Sequence, residues 1–274
     1  GATDNVILRS DGTGAATLQN SALVIDDLYT ASPNNTVNVA SIGVTGGTTN
    51  VGVAIVPKGT GSFSLAVPDS TSTGGNARGA NAVDLQTSRS AATQVASGQY
   101  STILGGVNNT ASGQYSTIVG GANNTASGQQ SIVVGNSCTA SGQLSVATGD
   151  QNTASGDYSF VANQANTASG NASHATGKYS LADRYEGMMA NAGGRFAATG
   201  DAQSIKVVFR RKTTDAVPTS LLNGFSNNVR LTIPSGKILF ADILITGIKS
   251  DGTAAACYKR KVAIRNIGGT TTLV

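Results

Sequence analysis

Ala96-Ser-Gly-Gln-Tyr-Ser-Thr-Ile-Leu-Gly-Gly-Val-Asn-Asn-Thr110 is followed at once by Ala111-Ser-Gly-Gln-Tyr-Ser-Thr-Ile-Val-Gly-Gly-Ala-Asn-Asn-Thr125. The phrase Ala-Ser-Gly opens six consecutive units, at Ala96, Ala111, Ala126, Ala140, Ala154 and Ala168, spaced 15, 15, 14, 14 and 14 residues apart. A fixed period means one structural unit stacked on copies of itself. Fourteen residues are too few for a helix-turn-helix repeat. They suit one coil of a narrow β-solenoid, with two strands of about five residues and two tight turns, stacked about 4.7–4.9 Å apart. Gly98, Gly113, Gly128, Gly142, Gly156 and Gly170 fall at one register, as a recurring tight corner requires. A low-complexity linker would not place β-branched residues at one register six times.

The second strand of each unit carries a pair: Ile103-Leu104, Ile118-Val119, Val133-Val134, Val146-Ala147, Phe160-Val161 and His174-Ala175. Neighbouring strand residues point to opposite faces, so two apolar neighbours ask for burial on both. One face fills the thin interior of the coil and the other needs a partner surface. The first strand, around Asn-Thr-Ala-Ser-Gly, is polar and small and can face water. The expectation is a coil that buries one outer side against identical chains, with a three-fold bundle as the preferred solution. His174, the only histidine, stands at an apolar repeat position, which favours packing near such an axis over catalysis.

Certain phrases carry a resemblance. Ala-Ser-Gly-Gln-Tyr-Ser-Thr-Ile-Val-Gly-Gly and Ala-Ser-Gly-Asn-Ala-Ser-His-Ala-Thr-Gly resemble the left-handed parallel β-roll repeats of trimeric autotransporter adhesin heads, and more closely the related repeats of tailed-bacteriophage tail fibres. Gly74-Gly-Asn-Ala-Arg-Gly-Ala-Asn-Ala-Val-Asp-Leu-Gln-Thr-Ser-Arg89 resembles a segment that precedes such repeats in phage fibres. Lys178-Tyr-Ser-Leu-Ala-Asp-Arg-Tyr185 and Gly194-Arg-Phe-Ala-Ala-Thr-Gly-Asp-Ala-Gln203 resemble the segment that follows them. The resemblance implies a trimeric fibre whose distal part meets a host surface. The coiled-coil stalk and membrane anchor of autotransporter adhesins are not visible in the sequence.

The expected fold class is all-β: a trimeric left-handed parallel β-roll between an N-terminal β-rich stem and a C-terminal antiparallel β-sandwich-like domain. Residues 1–73 read as the stem, with short strands at Val6–Arg9, Ala22–Ile25, Thr36–Ile42, Val51–Val56 and Ser62–Val67 between glycine turns. Residues 74–95 read as a connector, with a short helical stretch around Ala80–Gln86. Residues 96–180 are the roll and 181–203 a cap and neck. In 204–274, Ile205, Val207 and Phe209 share one strand face, Val229, Leu231 and Ile233 another, and Leu239, Ala241, Ile243 and Ile245 a third.

Composition narrows the function. Among 274 residues there are 35 Gly, no Trp and only 12% charged residues, which suits thin, turn-rich β structure better than an enzyme core. Net charge is +4, divided as −3 over residues 1–200 and +7 over 201–274. A basic terminal domain can meet an anionic surface polysaccharide, lipopolysaccharide phosphate or nucleic acid, and can equally be a solvated face or a contact with another virion protein. Cys138 and Cys257 lie far apart and are expected as free, mostly buried thiols. The start at Gly1 does not read as a signal peptide, and no apolar run is long enough to span a bilayer. Asn34, Asn108, Asn123 and Asn171 begin Asn-x-Ser/Thr sequences, which turn chemistry explains better than glycosylation.

Polysaccharide cleavage would need two carboxylates at a set separation. Asp150 with Asp157, and Asp183 with Glu186, are the pairs to weigh, and neither has an aromatic sugar platform beside it in sequence. No nucleophile elbow or phosphate-binding loop occurs in its required context. The expectation is a non-enzymatic virion structural protein, a tail fibre that attaches to the host surface, located on the virion outside the cell. It needs no cofactor or metal. Its partners are two copies of itself, other tail or baseplate proteins and a host surface glycan or protein, with no nucleic acid and no membrane insertion. The trimer and core positions are Ile103, Leu104, Ile118, Val119, Val133, Val134, Phe160, Val161 and His174. Receptor contacts are expected on tip loops carrying Lys249, Asp251, Thr253, Tyr258, Lys259 and Arg260. The alternatives are a structural shaft or capsid decoration, a bacterial adhesin head, and a depolymerase spike.

Overall fold

The computed structural model describes residues 6–10, 18–26, 41–44, 55–209, 232–233, 235–248 and 253–274. The chain falls into two units, Gly1–Lys58 and Gly59–Val274. In the first, β1 (Val6–Ser10), β2 (Leu18–Asp26) and β3 (Ser41–Val44) pair antiparallel in that order. The expected strand residues 36–40 and 51–54 lie outside the described residues.

The second unit is dominated by a parallel β-solenoid of about seven turns with two walls. One wall has ten strands, here numbered with the rest in chain order: β4 (Phe63–Ser64), β5 (Val83–Asp84), β6 (Thr102–Ile103), β8 (Thr117–Ala122), β10 (Ile132–Asn136), β12 (Val146–Asp150), β14 (Phe160–Val161), β16 (His174–Lys178), β18 (Met189–Gly193) and β19 (Gln203–Lys206). The other has six: β7 (Thr110–Ala111), β9 (Thr125–Ala126), β11 (Thr139–Ala140), β13 (Thr153–Ala154), β15 (Thr167–Ala168) and β17 (Leu181–Ala182). Thr pairs with Thr and Ala with Ala from β7 to β15, and at the last step Thr167 pairs with Leu181 and Ala168 with Ala182.

The change of period from 15 to 14 has a structural cause. Ile118 pairs with Val133, but Gly120 pairs with Val134, so Val119 is an extra residue bulged out of the ladder. The longer coil places its surplus residue on the outside and leaves the interior register intact.

The interior closes within one chain. Ile103, Ile118, Val133, Ala147, Val161 and Ala175 from one wall face Ala96, Ala111, Ala126, Ala140, Ala154 and Ala168 from the other, all at 0% exposure. Burying each Ile or Val side chain contributes roughly 1.5–3 kcal/mol. The strand expected to face water is half inside. Asn109, Asn124, Asn152 and Asn166 are fully buried, and only the flanking Thr and Ser reach the surface. Each Asn Oδ1 accepts a backbone N–H from the next coil (Asn109 from Asn124, Asn124 from Cys138, Asn152 from Asn166, Asn166 from Ser180). Their Nδ2 groups donate to corner carbonyls, as Asn124 does to Gly120 at 3.1 Å and Gly135 at 2.6 Å. A satisfied amide ladder of this kind rigidifies a thin core.

The corner glycines are required for a reason other than an unusual backbone angle. A Cβ on Gly113 would lie 2.1 Å from the carbonyl oxygen of Gly128, and one on Gly128 would lie 2.0 Å from that of Gly142. Close stacking of coils excludes any side chain. The left-handed angle falls two residues later, on Tyr100, Tyr115, Gln130, Leu144, Tyr158 and Ala172.

Residues 74–95 contain no helix. Val83–Asp84 pair in parallel with Thr102–Ile103, and Phe63–Ser64 pair with Val83–Asp84, so the wall begins earlier than the Ala-Ser-Gly phrases do. The start of the solenoid is plugged by Asp84, whose Oδ2 lies 2.9 Å from Arg78 Nε and 3.8 Å from an Arg89 nitrogen, with all three side chains fully buried. Arg89 also donates to the carbonyls of Thr73 at 2.6 Å, Gln86 at 2.8 Å and Gln94 at 3.2 Å.

At the other end, β19 pairs antiparallel with β18. Ile205, Val207 and Phe209 therefore pack against the end of the roll, with Phe209 edge-on to Tyr185 at 5.6 Å, and do not belong to the terminal domain as expected. The alternation of apolar residues there suits either sheet, and the open end of the solenoid captures it. The terminal part of the chain is a three-stranded antiparallel sheet, β20 (Lys237–Ile248), β21 (Ala255–Ile267) and β22 (Thr270–Leu273).

Candidate functional site

Three surfaces follow from this framework. The first is the outer face of the ten-stranded wall. Because alternate residues point inward, Leu104, Val119, Ile132, Val134, Phe160 and Met189 point outward, and each stands between 37% and 50% exposed. Of the expected trimer and core positions, Ile103, Ile118, Val133 and Val161 lie in the coil interior, whereas Leu104, Val119 and Val134 lie outside along one row, and Phe160 lies outside in the adjoining row, aligned with Val146 and Ile132. His174 is half-buried in the row of Phe160, which packs edge-on to it at 4.8 Å.

The second surface is the outer face of the six-stranded wall. Thr110, Thr125, Thr139, Thr153 and Thr167 form one row, and Ser112, Ser127, Ser141, Ser155 and Ser169 a second row two residues on. Coil stacking spaces each row at about 4.8 Å. The result is a flat lattice of hydroxyls interrupted only by small side chains. The adjoining corner carries an amide ladder, in which Gln114 donates to Gln99, Gln129 to Gln114 and Gln143 to Gln129 at 3.1–3.3 Å. Tyr100 and Tyr115 stack in parallel beside it at 5.0 Å.

The third is the terminal sheet. Tyr258, Lys259 and Arg260 are exposed, but they lie within β21 and not on a tip loop. The thirteen-residue length of that strand was hidden because polar residues occupy both its faces. Tyr258 opposes Ile245 and Arg260 opposes Ile243 on one face, whereas Lys259 opposes Leu244 on the other, so the three do not converge. Thr253 is exposed just before β21. Lys249 and Asp251 lie outside the described residues. Cys257 is exposed, contrary to expectation, because β21 turns it to solvent; Cys138 is buried, and burial raises its thiol pKa.

The carboxylates weighed for catalysis are each tied into structure. Asp150 accepts hydrogen bonds from Asn136 at 3.0 Å and Gln164 at 3.1 Å, which hold its pKa below the ordinary value. Asp157 accepts the Gln143 N–H at 2.8 Å on a different corner. Asp183 lies 3.6 Å from Arg184, and Glu186 is exposed three residues on. Among the described residues, no three His, Cys, Asp or Glu side chains are grouped to hold a metal ion, and no helix is long and apolar enough to cross a membrane.

Residues 79–177 match a family model described as grass antifreeze beta roll. The match spans the solenoid coils and identifies them as β-roll repeats. No curated protein and no solved structure matches the chain.

Proposed function

We propose that this chain is a fibre protein of a tailed-phage virion, a homotrimer with a left-handed roll that attaches the particle to a host surface without catalysing a reaction. The observation that carries the reading is the apolar outer stripe of Leu104, Val119, Ile132, Val134 and Phe160. These residues stand on coils whose interiors are already closed, and each keeps between 37% and 50% of its surface exposed on the single chain. They occupy two adjoining rows of the wall, and the apolar band they form can meet the same band on identical neighbours; covering it removes apolar area at about 25 cal/mol per Å². The N-terminal strands would add to such a stem, and the basic terminal sheet would face the host surface glycan or protein. Attachment would be multivalent, with weak single contacts raised by effective concentration.

The solution mass tests the assembly. Light scattering on the reduced protein should give three times 27.3 kDa. Val119→Lys combined with Val134→Lys should give folded monomers, with β-rich circular dichroism retained. A monomeric parent protein would sink the reading. Host attachment is then tested by cell binding of the trimer, and a polysaccharide-cleaving spike would instead release reducing ends.

A second reading is favoured by the hydroxyl lattice of the six-stranded wall together with the antifreeze name of the matching family model. In this reading, the regular Thr and Ser rows order water and dock on ice. Thermal hysteresis, or inhibition of ice recrystallisation, lost on Thr139→Tyr with the roll still folded, would support it. Absence of both activities in the parent protein would remove it.

A further inference from the structure

The outer face of the ten-stranded wall changes chemistry at its C-terminal end. Over β6 to β14 it carries mainly Leu, Val, Ile and Phe. Over the last three strands, six outward positions form a grid. His174 pairs with Met189 and Met189 with Lys206; Thr176 pairs with Asn191 and Asn191 with Ser204. These six residues, with Ala190, line a concavity of about 170 Å³.

Its lining is rich in donors. Lys206 brings an ammonium group with three donors, and Ser204 and Thr176 carry hydroxyls. Asn191 Nδ2 donates to Thr176 Oγ1 at 2.9 Å, which leaves the Thr176 hydroxyl free to donate its own proton. His174 Nε2 is buried with no hydrogen-bond partner, a costly arrangement unless something outside the chain completes it. Phe160, edge-on to the imidazole, limits how far the ring can turn away. No carboxylate lines the concavity to neutralise Lys206.

From this geometry we infer that the concavity is an oxyanion site, taking phosphate, sulfate or the carboxylate of an acidic sugar. Lys206 supplies the charge, Thr176 and Ser204 supply hydroxyl donors, and His174 supplies a ring N–H. Charge-assisted hydrogen bonds from several donors to one anion are the strong kind. The site is complete within one chain, so it does not rest on the proposed trimer.

Calorimetric titration of the full chain with inorganic phosphate, sulfate, glucuronate and chloride tests it. The expected result is saturable binding of one oxyanion per chain, with chloride much weaker. Lys206→Met should weaken that binding at least about tenfold, and so should His174→Phe, which keeps a ring against Phe160. Lys178→Met, an equal change of charge outside the concavity, should leave binding unchanged. Preference for phosphate or sulfate would point to a free or esterified anion, and preference for glucuronate to an acidic glycan. Lack of saturable binding by every oxyanion would overturn the proposal. So would equal affinities for Lys206→Met and Lys178→Met, a comparison that survives even if His174→Phe does not fold.

Discussion

In the roll, Ile103, Ile118, Val133 and Val161 are fully buried by the opposite wall of their own coil; in the terminal sheet, Phe240, Leu244 and Ile248 stand 79%, 66% and 76% exposed on β20. Both regions use strand-forming residues, and β20 and β21 of the terminal sheet are longer than any strand of the roll. The difference is the return wall. A solenoid coil brings its second wall with it every fourteen residues, so the smallest repeating piece already has an inside. The three-stranded sheet has two faces and, among the described residues, no second layer, so its apolar residues depend on what lies against them. Order in the roll is therefore set by backbone stacking and buried amides, and substitutions there should act far more strongly than the same substitutions in the sheet.

The largest contrast should come from one glycine in each region. Gly128→Ala places a Cβ 2.0 Å from the Gly142 carbonyl oxygen and should cost more than about 3 kcal/mol in denaturant unfolding. Gly247→Ala in β20, where nothing lies within 4 Å, should change stability by less than about 0.5 kcal/mol. Equal effects would erase the distinction drawn between the regions.

Asn124→Leu comes next. It removes two donated bonds and leaves the buried Cys138 N–H without its acceptor, and should cost about 2–3 kcal/mol by the same assay. A neutral result would show that the amide ladder is dispensable to the core. Ala165→Asn should go the other way. Ala165 holds a left-handed φ of 55°, where Asn is at ease, and a gain of about 0.5 kcal/mol is expected as a rise in melting temperature.

The smallest effect should be confined to the neck. The Asp201 carboxylate accepts the N–H groups of Ala198, Ala197 and Phe196, and these bonds, with the nearby Lys237 charge, lower its pKa to about 2. A depressed pKa means the contribution is present above the ordinary value of 3.8 and lost as pH falls through about 2. Hydrogen exchange at 196–198 should accelerate across that window, and Asp201→Asn should flatten the dependence. Unchanged exchange would show the loop to be held by other contacts.

Much of the roll was legible in the sequence because a fixed period reports directly on stacking. Alternation places the two members of Ile118-Val119 and of Val133-Val134 on opposite faces, but it does not say which member is inward, and the order reverses between Val133-Val134 and Phe160-Val161. The buried Asn row was missed because Asn reads as a turn residue, yet its recurrence at Asn109, Asn124, Asn152 and Asn166 was a usable signal. What could not be read were pairings that depend on distance. Arg78, Asp84 and Arg89 meet inside a plug that no spacing rule describes. Ile205 and Val207 alternate in the same way whichever sheet they join. The donor-rich grid around Lys206 was hidden for a related reason, since it assembles three strands of which only one carries the clean repeat.

The bulge at Val119 bears on how such a chain can change length over generations. Whole-coil duplications of fourteen residues extend the roll by one strand spacing and repeat both outer faces without disturbing the inside. An odd extra residue is also survivable at that point, because the ladder expels it outward and resumes in register one position later. Reach can therefore drift by gene slippage while the core stays the same.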